Sequence, residues 1–539
     1  MLFSISLYFI LFHIAFAITK IPFTDPNIQY IGRWQSTSND IQSGWPGAYF
    51  KVVLKGTYTV KVQLSKPANV LIQIDDGPSS FFGNTTPTID LIPFPDNEQH
   101  QVLVVATEVV SLQSILIEDT GQTIPFISKD IVEFVGHDLI LGTETSRGPL
   151  SSFAWITSDT IGMDHIHIAY PGATLINGLS TRYFDMWPPQ QMKQQQQYTS
   201  TKPCAVVVLL GTNDKHKGYA SPDYRDTLTS FLTRVRQRLS NPDVPIFVLS
   251  EPLGDMFRPS QQAVLSLNRQ GELHTYFIDT TGWVRHGPSL YNEKGYLNDA
   301  GHELFAKRLS PFLEAKINDP RQPLPGPAPN PNLPGDWQTI DVGDETRIGL
   351  PGTVSADSST TFTLWGSGAD IDDTSDAFRF MYQPFSGPGT LESTIRSHST
   401  FAKCAKAGIM IREHLGSGSP LIMLGISPAD GVFVQVRYRN FGPTKIIKTM
   451  KATPPYRLRL TRQSEDLFEA HIQHIDLLGA KTEWEPFASI AITMSKDVYA
   501  GLAVTSCDTT VVSVAKFTDV TLYHSSSLTT IPKLVNQQA

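Results

Sequence analysis

A proline-rich stretch near the middle of the chain places the strongest constraint on its architecture. Prolines recur at positions 320, 323, 325, 327, 329, 331 and 334. Because proline lacks a backbone N–H and has a fixed φ, this stretch excludes helices and sheet ladders and favours an extended polyproline conformation. It predicts a semi-rigid spacer over residues 319–335 that separates two folded parts of the chain.

The segment from 18 to 125 has the pattern of an antiparallel β domain. Apolar and polar residues alternate in Val60–Leu64 and Val70–Ile74, and Asp75-Asp76-Gly77 supplies a turn after the second run. Alternation with a period of two, interrupted by turn residues, is typical of a sandwich with one buried face on each sheet. We expect a jelly-roll β-sandwich here.

The pattern changes between residues 126 and 318. Short apolar runs lie at 131–135, 166–170, 205–210, 246–249 and 276–278. Apolar stripes with helical spacing are formed by Leu228, Phe231, Leu232, Val235 and Leu239, and by Leu304, Phe305, Leu309, Phe312 and Leu313. Buried parallel strands that alternate with amphipathic helices predict a three-layer, flavodoxin-like α/β domain.

Beyond the proline-rich stretch the alternation returns. Val432–Tyr438, Tyr456–Leu460 and Val498–Val504 each have the pattern of a strand. They predict a second β-sandwich over residues 336–525, so that the chain is a multidomain protein.

Composition limits the possible partners. Hydrophobic residues make up 40% of the chain and charged residues 17%, as in folded proteins. The net charge of −8 and the lack of a Lys/Arg stripe argue against nucleic acid as a partner. No later apolar run approaches the roughly 20 residues of a membrane span. No motif predicts a cofactor, and no cysteine pair has the spacing of zinc ligands.

The first 17 residues resemble a signal peptide. An apolar run, Leu2–Phe12, precedes the small-x-small pattern Ala15-Phe16-Ala17, which predicts secretion to the extracellular space. No Lys or Arg precedes the run, so a buried N-terminal strand is the alternative. Asn84-Thr85-Thr86 is a glycosylation sequon, which agrees weakly with secretion.

Three cysteines are too few for a disulfide scaffold. Cys204 opens an apolar run and is expected to be a small buried residue. Cys404 and Cys507 lie in the same predicted sandwich and either form a disulfide or remain free.

Three segments of the α/β domain resemble sequence blocks of the SGNH hydrolase superfamily: Glu133–Gly136, Tyr170–Gly172 and Gly211–Asp214. Each follows a predicted strand, at the sheet edge where α/β proteins build their sites. Together with Gly32-Arg33-Trp34 and Gly44-Trp45-Pro46-Gly47 in the preceding sandwich, they resemble carbohydrate esterase family two, whose members deacetylate plant cell-wall polysaccharides. The C-terminal part resembles concanavalin-like sandwiches through residues 365–371, 407–413 and 501–506.

The resemblance places catalytic positions on residues that lack the family chemistry. The family nucleophile is the serine of Gly-Asp-Ser, and this position holds Asp138. The family base is the first histidine of His-Pro-x-x-x-Gly-His, where this chain has Tyr296, and the family acid falls on Glu293. An alternative register takes Asp299 and His302 as an intact Asp-x-x-His pair.

This chain has the residue types that the family uses at its oxyanion positions. Gly172 is expected to offer a backbone N–H and Asn213 a side-chain amide, although both residues also have structural roles in turns. Trp155, Tyr170 and Trp187 are candidate sugar-binding aromatics, although each is also a candidate core residue.

The sequence leaves three functions open. The first is a secreted pseudoesterase that binds an acetylated glycan. The second is an active esterase with a relocated nucleophile and base, for which the candidates are Ser146, Ser151, Ser152, His137, His165, His167, His286 and His302. The third is a structural surface protein, which would neither bind glycan nor hydrolyse it.

Overall fold

The computed structural model describes residues 17–83, 86–189, 202–325, 330–400, 402–475 and 481–524. The predicted signal peptide falls almost entirely outside these residues, as does Asn84 of the sequon. Among the helices in these ranges, none has the length and apolarity needed to cross a bilayer.

The chain forms two compact units. The first comprises Met1–Thr143, Arg147–Pro171 and Thr181–Pro203, and the second comprises Glu144–Ser146, Gly172–Ser180 and Cys204–Ala539. The division passes through the predicted α/β domain, so its first two strands belong to the first unit and its last three strands belong to the second.

The N-terminal part of the first unit is an antiparallel sandwich of two sheets. Its strands are β1 (Ile18–Pro22), β2 (Gln29–Ile31), β3 (Gln35–Ser36), β4 (Ile41–Ser43), β5 (Tyr49–Lys55), β6 (Val60–Leu64), β7 (Val70–Ile74), β8 (Ser80–Phe82), β9 (Thr88–Asp90), β10 (His100–Ala106), β11 (Val110–Glu118) and β12 (Gln122–Ile124). One sheet has the order β3-β4-β11-β6-β9, with β1 paired to β11. The other has the order β12-β5-β10-β7-β8, with β2 paired to β5.

The residues that the alternating pattern predicts to be buried form the core of this sandwich. In β6, Val60, Val62 and Leu64 are buried and the residues between them are half-buried. They join Phe50 and Val104 in one apolar cluster between the sheets. Burial of apolar side chains on both inner faces is the main stabilising term of such a sandwich.

The first unit also contains the start of the α/β fold. Strands β13 (Ile131–Gly136) and β14 (Asp164–Ala169) pair in parallel, with Ile131 opposite Asp164. A 3-10 turn, Gly148–Ser151, and helix α1 (Phe153–Thr160) lie between them in sequence. The predicted apolar runs therefore locate both strands to within two residues.

The second unit continues the α/β fold. Strands β15 (Ala205–Leu209), β16 (Ile246–Leu249) and β17 (Thr275–Ile278) are parallel. The helical elements are an irregular turn at Leu175–Leu179, α2 (Ser180–Arg182, which extends into the first unit), α3 (Thr212–His216), α4 (Ser221–Arg238), α5 (Phe257–Arg269) and α6 (Asp299–Asn318). The predicted stripes lie on α4 and α6, where Leu228, Val235 and Phe305 are buried.

The C-terminal part is a sandwich of two seven-stranded antiparallel sheets. Its elements are β18 (Gln338–Val342), α7 (Glu345–Ile348), β19 (Thr353–Ser358), β20 (Thr361–Gly368), β21 (Phe378–Ser386), β22 (Gly389–Ser399), β23 (Lys406–Arg412), β24 (Leu421–Ser427), β25 (Gly431–Arg437), β26 (Thr444–Met450), β27 (Tyr456–Arg462), β28 (Leu467–His474), β29 (Glu485–Ala491), β30 (Asp497–Thr505) and β31 (Asp508–His524). The sheet orders are β18-β21-β30-β23-β24-β25-β26 and β19-β20-β31-β22-β27-β28-β29.

This sandwich contains a disulfide between Cys404 and Cys507, 103 residues apart in sequence. The bond connects the approach to β23 with the turn between β30 and β31, and it confirms the paired alternative. Cys204 takes no part in this disulfide and is half-buried, so it is less enclosed than its place in an apolar run predicts.

The C-terminal sandwich packs directly on the α/β elements of the second unit rather than standing apart from them. Arg258 of α5 forms an ion pair with Glu413 at 2.7 Å. At the ends of the proline-rich stretch, Pro320 O accepts a hydrogen bond from Lys316 Nζ at 3.0 Å, and Leu333 is buried in the sandwich core. The stretch is therefore anchored at both ends, and it does not hold the two folded parts apart.

Candidate functional site

Asp138, the candidate for the nucleophile position, lies two residues after the end of β13. The backbone turns tightly there, because Ile140 N donates to His137 O at 2.9 Å and Leu141 N donates to Asp138 O at 3.1 Å. The Asp138 side chain is mostly buried, with Oδ2 3.9 Å from Nδ1 of His137. The expected position at a strand end is thus occupied by a carboxyl group, which offers no alcohol oxygen for acyl transfer.

The two oxyanion positions, in the second unit, are joined through one short segment. Asn213 is half-buried, and its Nδ2 donates a hydrogen bond to Ala173 O at 3.0 Å, next to Gly172. Gly172 has a φ of +70°, which glycine accommodates without strain, and no described atom lies within 4 Å of the position that a β-carbon would take. A side-chain amide carries two N–H donors. One N–H of the Asn213 amide is used in the hydrogen bond to Ala173 O.

Asp214 fixes this segment from the next position. Its carboxylate accepts hydrogen bonds from Leu175 N at 2.8 Å and Ile176 N at 2.9 Å. Burial raises the pKa of Asp214, and the two backbone donors oppose that shift. The residue did not figure among the sequence candidates, although it completes the Gly-Thr-Asn-Asp block.

The acid and base positions lie on one tight turn of the second unit. Asn292 N donates to Tyr296 O at 2.9 Å, and Tyr296 N donates to Asn292 Oδ1 at 3.1 Å. Gly295 closes the turn with a φ of +83°. The turn exposes Glu293 and leaves Tyr296 half-buried. The base position therefore holds a phenol, which is not an imidazole in size or in basicity.

The loop that precedes this turn is bound to the C-terminal sandwich through α7. His286 Nδ1 lies 2.5 Å from Oδ2 of Asp344, the residue that caps α7. Ser289 Oγ donates to Glu345 Oε1 at 2.5 Å, and Glu345 N donates to His286 O at 2.9 Å. These contacts join residues more than 50 positions apart, so no local pattern signals them.

His302, the base in the alternative register, is enclosed near the start of α6. Only 1% of its surface is exposed, and burial lowers its pKa to about 4. The Asp299 carboxylate of the same register accepts a hydrogen bond from Ser146 Oγ at 3.0 Å. A deeply buried imidazole with a lowered pKa is a weak general base at neutral pH.

The other candidate nucleophiles have structural partners. Ser152 Oγ caps α1 by accepting from Trp155 N at 3.1 Å, and Ser151 Oγ accepts from Arg147 Nε at 3.3 Å. The capping hydroxyl satisfies a helix N–H that otherwise has no partner.

One direct Ser–His side-chain hydrogen bond is present among the described residues, and it lies in the C-terminal sandwich. His398 Nε2 is 2.9 Å from Ser513 Oγ, which also donates to Ser399 O at 3.2 Å. Ser513 is fully buried. A hydroxyl that is enclosed and directed at a carbonyl is not an activated nucleophile.

The candidate aromatic residues differ in exposure. Trp155 is only 6% exposed, and its indole packs against Tyr49 and His165, with ring centroids 5.0 Å and 4.4 Å away. Trp155 is therefore a core residue and not a sugar-binding surface. Tyr170 and Trp187 are half-buried, and Trp187 Nε1 donates to Gln35 Oε1 at 2.8 Å.

The motifs of the N-terminal sandwich have a packing role within the first unit. Arg33 Nη1 donates to Asp185 O at 2.6 Å, and its guanidinium lies 5.3 Å from the ring centroids of Trp45 and Tyr183. Tyr183 Oη donates to Glu133 at 2.5 Å. These contacts attach the sandwich to β13, so the tryptophans and arginine of these motifs serve the fold.

A metal centre is not indicated by the described part of the chain, which contains no group of three or more His, Cys, Asp and Glu side chains able to hold an ion. His165 and His167, the closest approach to such a group, lie side by side in the core with ring centroids 4.9 Å apart.

No protein-family model matches the chain, and no curated protein matches it. Among solved structures, it is similar to a family two carbohydrate esterase from Cellvibrio japonicus, with a TM-score of 0.49 and 17% identity over 56% of this chain and 98% of that chain. A family two carbohydrate esterase from Clostridium thermocellum in complex with cellohexaose gives a TM-score of 0.48 and 22% identity over 54% and 99%. An acetyl xylan esterase from the rumen bacterium Butyrivibrio proteoclasticus gives 0.48 and 15% over 56% and 99%.

Proposed function

We propose that this protein is a secreted, glycan-binding protein whose α/β domain follows the plan of a carbohydrate esterase but does not hydrolyse esters. The observation that carries the proposal is the pair of side chains at the family nucleophile and base positions, Asp138 and Tyr296. Acyl transfer on this plan requires an alcohol and an imidazole that takes its proton. Removal of either member of such a triad leaves only on the order of a thousandfold acceleration over water, and replacement of both is expected to leave no more than this, which is too little for a useful esterase.

The surroundings of Ser146 and His302, the alternative nucleophile and base, support the proposal that the protein does not hydrolyse esters. Ser146 donates its hydroxyl hydrogen bond to a carboxylate, that of Asp299, and His302 is buried with a lowered pKa. A serine beside a carboxylate still lacks the imidazole that shuttles its proton between attack and release of the leaving group.

The retained groups support binding. Gly172 leaves open space beside its α-carbon, and the second N–H of the Asn213 amide can meet an acyl or hydroxyl oxygen. In the first unit, Tyr170 and Trp187 remain proposed sugar contacts because part of each ring is exposed. The disulfide agrees with the proposed secretion, since such bonds persist in oxidising compartments.

Calorimetric titration of the full chain with acetylated xylo- and manno-oligosaccharides tests the proposal. We expect binding of the acetylated glycan with no acetate released during the titration. Asn213→Ala is expected to weaken binding about tenfold, the loss of one good hydrogen bond, whereas the exposed control Asn39→Ala leaves it unchanged. Acetate that accumulates in the calorimeter cell would show that the protein is an active esterase. Absence of binding by the wild-type protein would favour a structural role.

A further inference from the structure

A groove in the second unit, between helices α4 and α5 and the C-terminal sandwich, has no role in the proposed function. It consists of a cavity of about 410 Å³ and a cavity of about 580 Å³, which share Arg225 and Gln262 in their linings. We call this pair of cavities the cationic groove. Its size is that of a site for a ligand of several rings.

The groove carries excess positive charge on a chain whose net charge is negative. Six Lys and Arg side chains line it against three Asp and Glu side chains, whereas the whole chain has a net charge of −8. Two of the lining acids form ion pairs, Asp226 with Arg225 and Glu413 with Arg258, and the third is Glu465. Lys215 pairs with Asp255, which lies outside the lining.

The remaining three cations of the groove are Arg269, Arg439 and Lys496, and each lacks an acidic partner among the described residues. Unpaired cations that converge on a recess raise the local concentration of anionic ligands and direct their approach. The charge balance therefore favours an anion.

Aromatic rings lie at the other end of the groove. Tyr438 is 46% exposed and Tyr219 is half-buried, and both line the smaller cavity. Exposed tyrosine rings provide flat apolar faces with a polar edge, which suit the face of a sugar ring. Positive charge and exposed aromatic rings thus indicate one ligand type.

We propose that the cationic groove binds an acidic oligosaccharide, that is, a glycan that contains uronic acid residues. Its carboxylates pair with Arg269, Arg439 and Lys496, and one sugar ring covers Tyr438. The groove does not include Gly172, Asn213 or Tyr296, so this inference can be tested independently of the glycan binding proposed at those residues.

Titration of the full chain with penta-galacturonate and with aldouronic xylo-oligosaccharides tests the inference, with neutral xylohexaose as the reference ligand. We expect at least tenfold tighter binding of an acidic ligand than of the neutral one, and weaker binding of that ligand when NaCl rises from 20 to 200 mM. Equal affinity for both ligand types overturns it, as does binding of a sulfated glycan or a nucleic acid in preference to both uronate ligands.

Two variants locate the site. The triple variant Arg269→Gln, Arg439→Gln and Lys496→Gln is expected to lose at least tenfold in affinity, whereas the control Lys307→Gln, Arg321→Gln and Lys445→Gln removes the same charge from exposed positions outside the groove. Equal losses of affinity in both triple variants would show that binding depends only on the net charge of the protein, and would overturn the inference.

Discussion

Tyr499 Oη lies 2.6 Å from Oδ2 of Asp279 and donates a hydrogen bond to it. Asp279 follows β17 directly, and Tyr499 belongs to β30, so this bond links the carboxyl end of an α/β strand to the C-terminal sandwich. Thr281 adds two further donors to the same carboxyl group, at 2.8 Å from its N and 2.6 Å from its Oγ1. Both partners are half-buried, and desolvation raises the pKa of each.

Tyr499→Phe is therefore expected to destabilise the second unit. The substitution leaves a buried carboxyl oxygen without one of its donors, which costs about 1 to 3 kcal/mol in free energy of unfolding. Urea unfolding followed by tryptophan fluorescence measures this cost. Tyr438→Phe, at an exposed ring, is the control, and equal midpoints for both variants would show that the contact contributes nothing.

Glu345→Ala is expected to loosen the turn that carries Glu293 and Tyr296. The variant removes the acceptor of two hydrogen bonds from Ser289, at 3.2 Å from its N and 2.5 Å from its Oγ. Hydrogen exchange of residues 287–297 is expected to accelerate about tenfold, which corresponds to about 1.4 kcal/mol of local stability. Glu303→Ala, exposed on α6, serves as control. Unchanged exchange would mean that the turn holds its conformation without α7.

Removal of the disulfide is expected to destabilise the C-terminal sandwich. The bond closes a loop of 103 residues, and cross-links of this kind stabilise by about 2 to 4 kcal/mol, mainly by restricting the unfolded chain. The double variant Cys404→Ser and Cys507→Ser should melt at a lower temperature than Cys204→Ser, and a reductant should lower only the melting temperature of proteins that retain the bond. Equal melting temperatures for the wild-type protein, Cys204→Ser and the double variant would contradict a stabilising role of the disulfide.

His167 is expected to make the first unit sensitive to acid. Neither ring nitrogen has a hydrogen-bond partner among the described residues, and burial lowers the pKa of His167 from 6.5 to about 3. Because the folded chain then binds fewer protons than the unfolded chain, the contribution of His167 is full above pH 6.5 and is lost as the pH falls toward 3.

His167→Leu tests this pH dependence. Between pH 7 and pH 5 the wild-type protein is expected to lose about 2 kcal/mol more than the variant, at about 1.4 kcal/mol per pH unit below 6.5. Melting temperatures measured across this range give the comparison, and His216→Gln controls for an exposed ring. Parallel curves for wild type and His167→Leu would exclude a neutral buried imidazole.

Much of the fold follows from local pattern. The apolar stripe of Leu228, Phe231, Leu232 and Val235 lies buried along α4, and the run at 246–249 coincides with β16. Helix α5 was missed because Ser260 and Gln261 stand on its buried face and interrupt the apolar stripe. Periodicity predicts elements whose buried face is uniformly apolar, and it fails where polar residues are buried.

The sequence predicted which elements the candidate residues follow, but not their surroundings. Asp138 lies two residues after β13, and Asn213 lies at the start of α3, which follows β15. The docking of the C-terminal sandwich depends on pairs such as Asp279 and Tyr499, which are 220 residues apart and leave no local signal. Likewise, Trp155 was a candidate sugar contact because its burial depends on the packing of Tyr49 from another domain.

The rate of acetate release by the purified full chain, from acetylated xylan and from p-nitrophenyl acetate, tests the central claim most directly. If Asp138 and Tyr296 hold the nucleophile and base positions, as we propose, the expected rate stays close to that of a protein-free blank. Release well above the blank, abolished by Ser146→Ala or His302→Ala in a folded variant, would contradict the claim and identify an esterase with relocated catalytic groups.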